Sequence, residues 1–412
     1  MNGIMRNKKH PYLPFYFLIF IAYNFFVTAS MNPMNLSDVC YPYFLVDFSM
    51  GFCSKLLPGA IYNFFFDNTS KEAVFAFNTI IFLIFVFIIL MLLEKLLLQS
   101  EEKNRTSIML LTVFFLTGIS TFPMYVYKMG SLDSFWMYFT VMSVLFLSDK
   151  RLYLLIIPSS LMVVAVNFAG LFVYIPFILL LMVYKITVIG EKKEKALLWF
   201  AIIASLVSTV LLSGYFALFE QSNLVYSFEE FSEILTSRGY EGISKYYATG
   251  LYSEPYYEII DYAGINSIES PLSRALYFAY QRLLFTLNTI SFENSIAPML
   301  LCLPAVAAVF FCFNAFLKQE NVNGLKKAVI ILISLMFFLS IAVCVVFSSD
   351  ITRFIGHSYT LLLASFFYIA YHERENITNS LTVLLSKIPK FIIVIYTALY
   401  VFTVFDPEGH LS

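Results

Sequence analysis

Two short segments hold the residue types best suited to chemistry. The first, Asp47-Phe-Ser-Met-Gly51-Phe-Cys-Ser-Lys55-Leu-Leu-Pro58-Gly59, combines a carboxylate, a bare backbone position and an amine. Read as a helix, it sets Phe44, Phe48, Phe52 and Leu56 four residues apart as one apolar stripe, with Asp47, Gly51 and Lys55 on a neighbouring row and Pro58-Gly59 as the stop. A segment of that kind lies along a membrane surface and holds a carboxylate where it could take a proton from a hydroxyl, which makes Asp47 a candidate general base. An anchor helix whose charges merely face water has the same pattern.

The second segment is Ser349-Asp350-Ile-Thr-Arg353-Phe-Ile-Gly-His357. Asp350, Arg353 and His357 follow one another at spacings of three and four, so one helical face gathers all three. A guanidinium there could hold a phosphate through two parallel hydrogen bonds, and an imidazole beside it could move a proton. The alternative is a structural Asp-Arg pair that locks two helices. Lys128 and Asp133, in a short connection, and Asn167, in a tight turn, add smaller signals.

These residues need a scaffold, and the composition dictates which kind. Of 412 residues, 60% are hydrophobic and 13% are charged, and the formal net charge is -1. No water-soluble fold covers so much apolar surface, and the near-zero charge leaves no footprint for nucleic acid. Walker, GxGxxG, HExxH and CxxC patterns are absent, and the four histidines are too scattered for a histidine-rich metal site. Neither a cofactor nor a bound metal is expected. Cys40 and Cys53 share the first long connection, where a disulfide and two thiols are both open readings.

A bilayer core about 30 Å thick needs about 20 apolar residues per helix. Runs of that kind begin near residues 13, 73, 107, 134, 152, 170, 196, 294, 328, 357 and 390. The expected fold is therefore an all-α polytopic membrane protein with about eleven transmembrane helices. It forms a single domain over 1–412, with a first outer loop over 31–72 that contains the amphipathic helix and a large outer loop over 220–291. Lys and Arg recur in alternate connections, at 6 to 9, 95 to 105, 150 to 151, 192 to 195, 318 to 327 and 374 to 390, which predicts a cytoplasmic N-terminus. That orientation gathers the candidate polar clusters on the outer face. No predicted span has an acidic residue in its middle, whereas a transporter would be expected to place polar groups or broken helices near the midplane.

The Asp47 to Gly59 segment resembles an Asp-aromatic-small-x-Gly-Phe-x-Ser-basic-x-Leu-x-Gly signature of uncharacterised bacterial multi-span proteins associated with surface-polysaccharide synthesis. Gly130-Ser-Leu-Asp133 and Asp350-Ile-Thr-Arg353 are similar to later motifs of that group, while Asn167 stands where a His-Glu pair is expected. The layout also resembles GT-C glycosyltransferases and Wzy-type O-antigen or capsule polymerases. The resemblance implies glycosyl transfer or polymerisation at the outer face of a bacterial inner membrane, on a polyprenyl-phosphate-linked glycan, with membrane lipid and polysaccharide assembly proteins as partners. It casts Asp47 as general base, with His357 as a second catalytic candidate. Arg353, with Lys55 or Lys128, would neutralise the leaving phosphate, Asp133 and Asp350 would complete the substrate site, and Tyr246, Tyr247, Tyr256 and Tyr257 would stack on sugar rings. A flippase for the same lipid-linked glycan and a non-catalytic scaffold are the other readings.

Overall fold

The computed structural model describes residues 11–31, 40–67, 69–117, 130–219, 228–240, scattered positions between 267 and 288, 296–347 and 351–402. Among the described residues there is no strand, and the chain is an all-α polytopic membrane protein. Its helices are α1 (Leu13–Met31), α2 (Leu57–Phe65), α3 (Lys71–Gln99), α4 (Glu102–Thr117), α5 (Leu132–Phe146), α6 (Ile156–Val166), α7 (Gly170–Val188), α8 (Lys192–Phe219) and α9 (Phe228–Ser237), followed by α10 (Ala297–Leu317), α11 (Gly324–Phe347), α12 (Ile351–His372), α13 (Arg374–Lys387) and α14 (Lys390–Phe402).

Apolar side chains face both ways on the peripheral helices. On α1, Tyr16, Phe20 and Tyr23 are buried whereas Phe15, Leu18 and Ile21 are exposed, and α14 exposes Phe391, Val394, Ile395 and Leu399. Exposed surfaces of this composition are the lipid-facing side of a membrane helix. At the N-terminus of α1 the unpaired amides of Tyr12 and Leu13 both donate to Glu94 Oε1, at 3.0 and 3.1 Å, so a buried carboxylate of α3 caps α1 and fixes where it docks.

The centre belongs to α12. Its apolar window is 83% buried, against 28 to 50% for the other long apolar helices, and it packs against α3, α7, α10, α11 and α13. Beside it lies α5, whose residues from Leu132 to Thr140 are all buried. A hub of Asn104, Thr378, Asn379 and Thr382 ties α4 to α13 by side-chain hydrogen bonds of 2.7 to 3.1 Å.

The expected eleven spans are not all reached. Among the described residues six helices are long and apolar enough to cross a membrane, and a seventh arises if α13 and α14, which meet at a 105° bend, count as one. The 11 residues of α6 rise only about 16 Å, roughly half of a bilayer core, and α5 with 15 residues also falls short. Both are covered by neighbouring helices, so their apolarity reflects burial in protein. The spans expected near 107 and 390 are represented by α4 and α14, with residues 118–129 and 403–412 outside the described residues.

The helix expected from Phe44 to Leu56 does not form. That stretch folds as two 3-10 turns, Tyr41–Phe44 and Phe48–Met50, and the backbone takes φ of 130° at Gly51 and 73° at Lys55. Positive φ at two nearby positions is incompatible with a right-handed helix. Phe44 and Leu56 are buried while Phe52 is exposed, so no single stripe faces the membrane, and Asp47, Gly51 and Lys55 do not share a helical row. Nor do Pro58 and Gly59 stop a helix. They lie in the first turn of α2, where proline lacks only an amide that would have no partner. Gly59 is there for contact, because a Cβ would stand 1.8 Å from the Val46 carbonyl oxygen and 2.5 Å from that of Tyr43.

Candidate functional site

One end of the bundle collects the start of α5, the turn between α6 and α7, the end of α8, the start of α12 and the folded first loop. Asp133 sits in the first turn of α5, where the helix dipole favours a carboxylate. Arg353 sits in the first turn of α12, where the same dipole opposes a cation, and Asp133 offsets it directly. Arg353 Nε donates to Asp133 Oδ2 at 2.6 Å and Nη2 to Oδ1, a side-on bidentate pair. One turn along α12, His357 brings Nε2 to 3.5 Å from Asp133 Oδ2. Its Nδ1 is 2.7 Å from the Tyr174 hydroxyl. With that hydroxyl donating, Nε2 carries the proton and faces the carboxylate.

Trp136, one turn after Asp133, closes the cluster. Its ring meets those of His357 and Tyr174 at 5.7 and 5.3 Å, and its Nε1 donates to Val163 O at 2.9 Å. This approach needs Gly170, since a Cβ there would come within 2.8 Å of Trp136 Nε1 and 2.7 Å of Val163 Cγ1. Asn167 shapes the preceding turn by accepting from the Ala169 amide at 3.0 Å. Asp133, His357 and Tyr174 are essentially inaccessible, whereas the Arg353 side chain keeps 25% exposure. The cluster is therefore a buried ion pair with a histidine and a tyrosine held against it.

Asp47 occupies a more open position. Its Oδ1 accepts from the Ser49 amide at 2.9 Å, capping the second 3-10 turn, and its Oδ2 accepts from Asn63 Nδ2 of α2 at 3.1 Å. Arg238, just past α9, puts Nη1 3.7 Å from Oδ2 and donates to the Leu45 carbonyl. Partial burial pushes the Asp47 carboxyl up, but the hydrogen bonds from Ser49 and Asn63 and the charge of Arg238 outweigh it and hold the group below the usual carboxylate range. The Asp47 and Arg238 side chains keep 23 and 31% exposure. Aromatic rings flank the loop: Phe52 meets Phe48, Tyr215 and Phe216 at 5.4 to 5.7 Å, and Phe44 packs on Phe135 of α5 at 6.0 Å. That last contact joins the two clusters through one packed layer.

The structure thus brings Asp133, Arg353 and His357 together and seats Asp47 on the rim of the same end. Arg353 grips the Asp133 carboxylate, which comes from another helix. Lys55 donates its amide to Ala165 O at 3.1 Å, tying the loop to the end of α6. Lys128, Asp350, Tyr246, Tyr247, Tyr256 and Tyr257 lie outside the described residues. Cys40 and Cys53 are buried thiols. Among the described residues no three His, Cys, Asp or Glu side chains gather closely enough to hold a metal ion.

Sequence reasoning missed Tyr174, Trp136, Asn63 and Arg238. For Trp136 the signal was its place three residues after Asp133, on the same helical face. For Arg238 it was α9 itself, in which Phe231, Ile234 and Leu235 make an apolar side opposite Glu230 and Glu233. Phe231 and Leu235 are buried, and Tyr240 packs on Tyr41 at 6.0 Å, so this piece of the large loop folds onto the first loop. No protein-family model, no curated protein and no solved structure matches the chain.

Proposed function

We propose that this protein transfers or polymerises glycosyl units at the outer face of a bacterial inner membrane, drawing on a polyprenyl-phosphate-linked glycan. The observation that carries the reading is the Asp47 constellation: a half-buried carboxylate, ionised at neutral pH, held by Ser49 and Asn63 with Arg238 at 3.7 Å, on the rim of a membrane bundle. The concentration of Lys and Arg in connections at the other end supports the assignment of this rim to the outer face.

In this scheme the acceptor hydroxyl donates a hydrogen bond to Asp47. Its oxygen attacks the anomeric carbon, the bond from that carbon to the phosphate oxygen breaks, and the electron pair leaves with the phosphate. The hydroxyl proton passes to Asp47. An Asp with a low pKa accepts that proton late, when the attacking oxygen has already lost most of its electron density. Arg238 keeps the carboxylate ionised and offers a cation to the departing phosphate, a part that the family resemblance implied for Arg353. With its guanidinium clamped by Asp133, Arg353 instead holds α12 against α5.

Surface-glycan chain length, scored together with the membrane level of the protein, tests the proposal. Asp47→Asn and Arg238→Gln are expected to accumulate normally while shortening or abolishing the polymer and leaving single lipid-linked units on the outer leaflet. Normal polymer from a fully expressed Asp47→Asn protein removes the general base. Units trapped on the cytoplasmic leaflet would assign the chain to lipid translocation.

A further inference from the structure

The opposite end of the bundle carries a second, differently charged cluster. Lys95 of α3 places Nζ 5.1 Å from the Tyr371 ring centroid, and the Arg374 guanidinium of α13 lies 5.1 Å from the same ring while its Nε donates to Tyr371 O at 3.0 Å. Lys185 of α7 and Lys326 of α11 join them, and all four cations act electrostatically on His372 at the end of α12. Two carboxylates face the group. Glu373 pairs with Lys326 and accepts from the Tyr184 hydroxyl at 3.3 Å, and Glu194 acts on Lys185 while accepting from the Tyr153 hydroxyl at 2.7 Å. Among the described residues, four cations against two carboxylates leave two positive charges in excess, with Lys185, Lys326, Tyr371, His372 and Arg374 half-buried and Lys95 at the exposed edge.

Basic residues at a membrane boundary ordinarily spread over solvated connections, where repulsion between them is screened. Here cations from α3, α7, α11 and α13 converge around one tyrosine and one histidine, an arrangement that raises the energy of the protein unless a shared anion offsets it. We infer that this cluster binds a phosphate group, with Lys95, Lys185 and Arg374 as its cationic ligands and Tyr371 and His372 as its floor. A phosphate monoester carries about -1.5 to -2 at neutral pH, which matches the excess charge. An Arg fork beside two lysines is suited to its oxygens. Basic pockets between helices at a membrane boundary take up lipid headgroups, and the same chemistry serves a free phosphate. The inference stands apart from the transfer reading, since it uses none of the residues at the Asp47 end.

The test uses the full chain in nanodiscs of phosphatidylcholine, alone, doped with phosphatidic acid, or with inorganic phosphate added, and reads the melting temperature. Phosphatidic acid is expected to raise it in a saturable way, with the apparent affinity falling about fivefold for each of Lys95→Gln, Lys185→Gln and Arg374→Gln. An equal effect of inorganic phosphate identifies the ligand as a soluble anion, and an effect confined to the lipid identifies a headgroup. In plain phosphatidylcholine Arg374→Gln also loses its hydrogen bond to Tyr371 O, whereas Lys185→Gln is expected to melt at or above the wild-type temperature, because it relieves repulsion. A lower melting temperature for Lys185→Gln there, no response to either phosphate source, or an undiminished response in the variants would overturn the inference.

Discussion

Arg353 grips Asp133 side-on across 220 positions of sequence, joining the first turns of α12 and α5 at a site where the carboxylate is 2% exposed. Removing one partner leaves the other charged and poorly solvated, at a cost of about 3 to 5 kcal/mol, while replacing both with apolar groups of similar volume costs far less. Asp133→Leu and Arg353→Met are each expected to lower the thermal stability and membrane yield sharply, and the Asp133→Leu, Arg353→Met double variant to recover most of the loss. A double-mutant cycle in detergent, read by thermal unfolding, measures the coupling. Additive losses would mean that the two side chains do not stabilise the protein through each other.

Two glycines at the same end are constrained to different degrees. At Gly59 an added Cβ meets backbone oxygens at 1.8 and 2.5 Å, which cannot move aside without shifting the first loop from α2. At Gly170 the closest atom is a methyl of Val163 at 2.7 Å, with the Trp136 indole nitrogen next. Overpacking typically costs about 1 to 3 kcal/mol, and more where backbone must shift. Gly59→Ala is therefore expected to be the more damaging, and Gly170→Ala to be partly rescued by Val163→Ala. Comparing folded yields by size-exclusion chromatography separates them. An equal loss at both positions would contradict the packing described for Gly59.

Much of this architecture is legible from apolar run length, and the failures have identifiable causes. Helices α3, α7 and α11 follow the sequence because a long run of apolar residues has few other fates. An apolar run does not reveal whether lipid or protein covers it, so the short α5 and α6 read as spans. In the first loop, four-residue spacing of Phe44, Phe48, Phe52 and Leu56 suits a helix, but the same side chains also pack beneath a loop of 3-10 turns. Gly51 hints at a positive φ, whereas Lys55 gives no such signal. For Arg353, local spacing offers only Asp350, three residues away and outside the described residues. Pairing with Asp133 depends on how α5 and α12 dock, which no local spacing encodes. The contact between Arg238 and Asp47 is of the same kind, though the amphipathic α9 that delivers it was readable.

Asp47 supplies the pH test. Because its folded-state pKa lies below that of the unfolded chain, it binds its proton more weakly when folded and stabilises the protein above the ordinary aspartate value of about 3.9. That contribution disappears as pH falls through the depressed folded value. Wild-type protein is therefore expected to melt above Asp47→Asn at pH 6 to 7, with the gap narrowing progressively below about pH 4. Arg238→Gln removes one of the influences that lower the Asp47 pKa, so in that background the narrowing is expected to begin at higher pH. The proposed glycosyl transfer should show no loss attributable to Asp47 protonation between about pH 5 and 8. Melting curves of the three proteins from about pH 7 down to about pH 2 decide the matter. A gap that widened on acidification would mean that Asp47 binds its proton more tightly in the folded protein, and would remove the ionised carboxylate from the site.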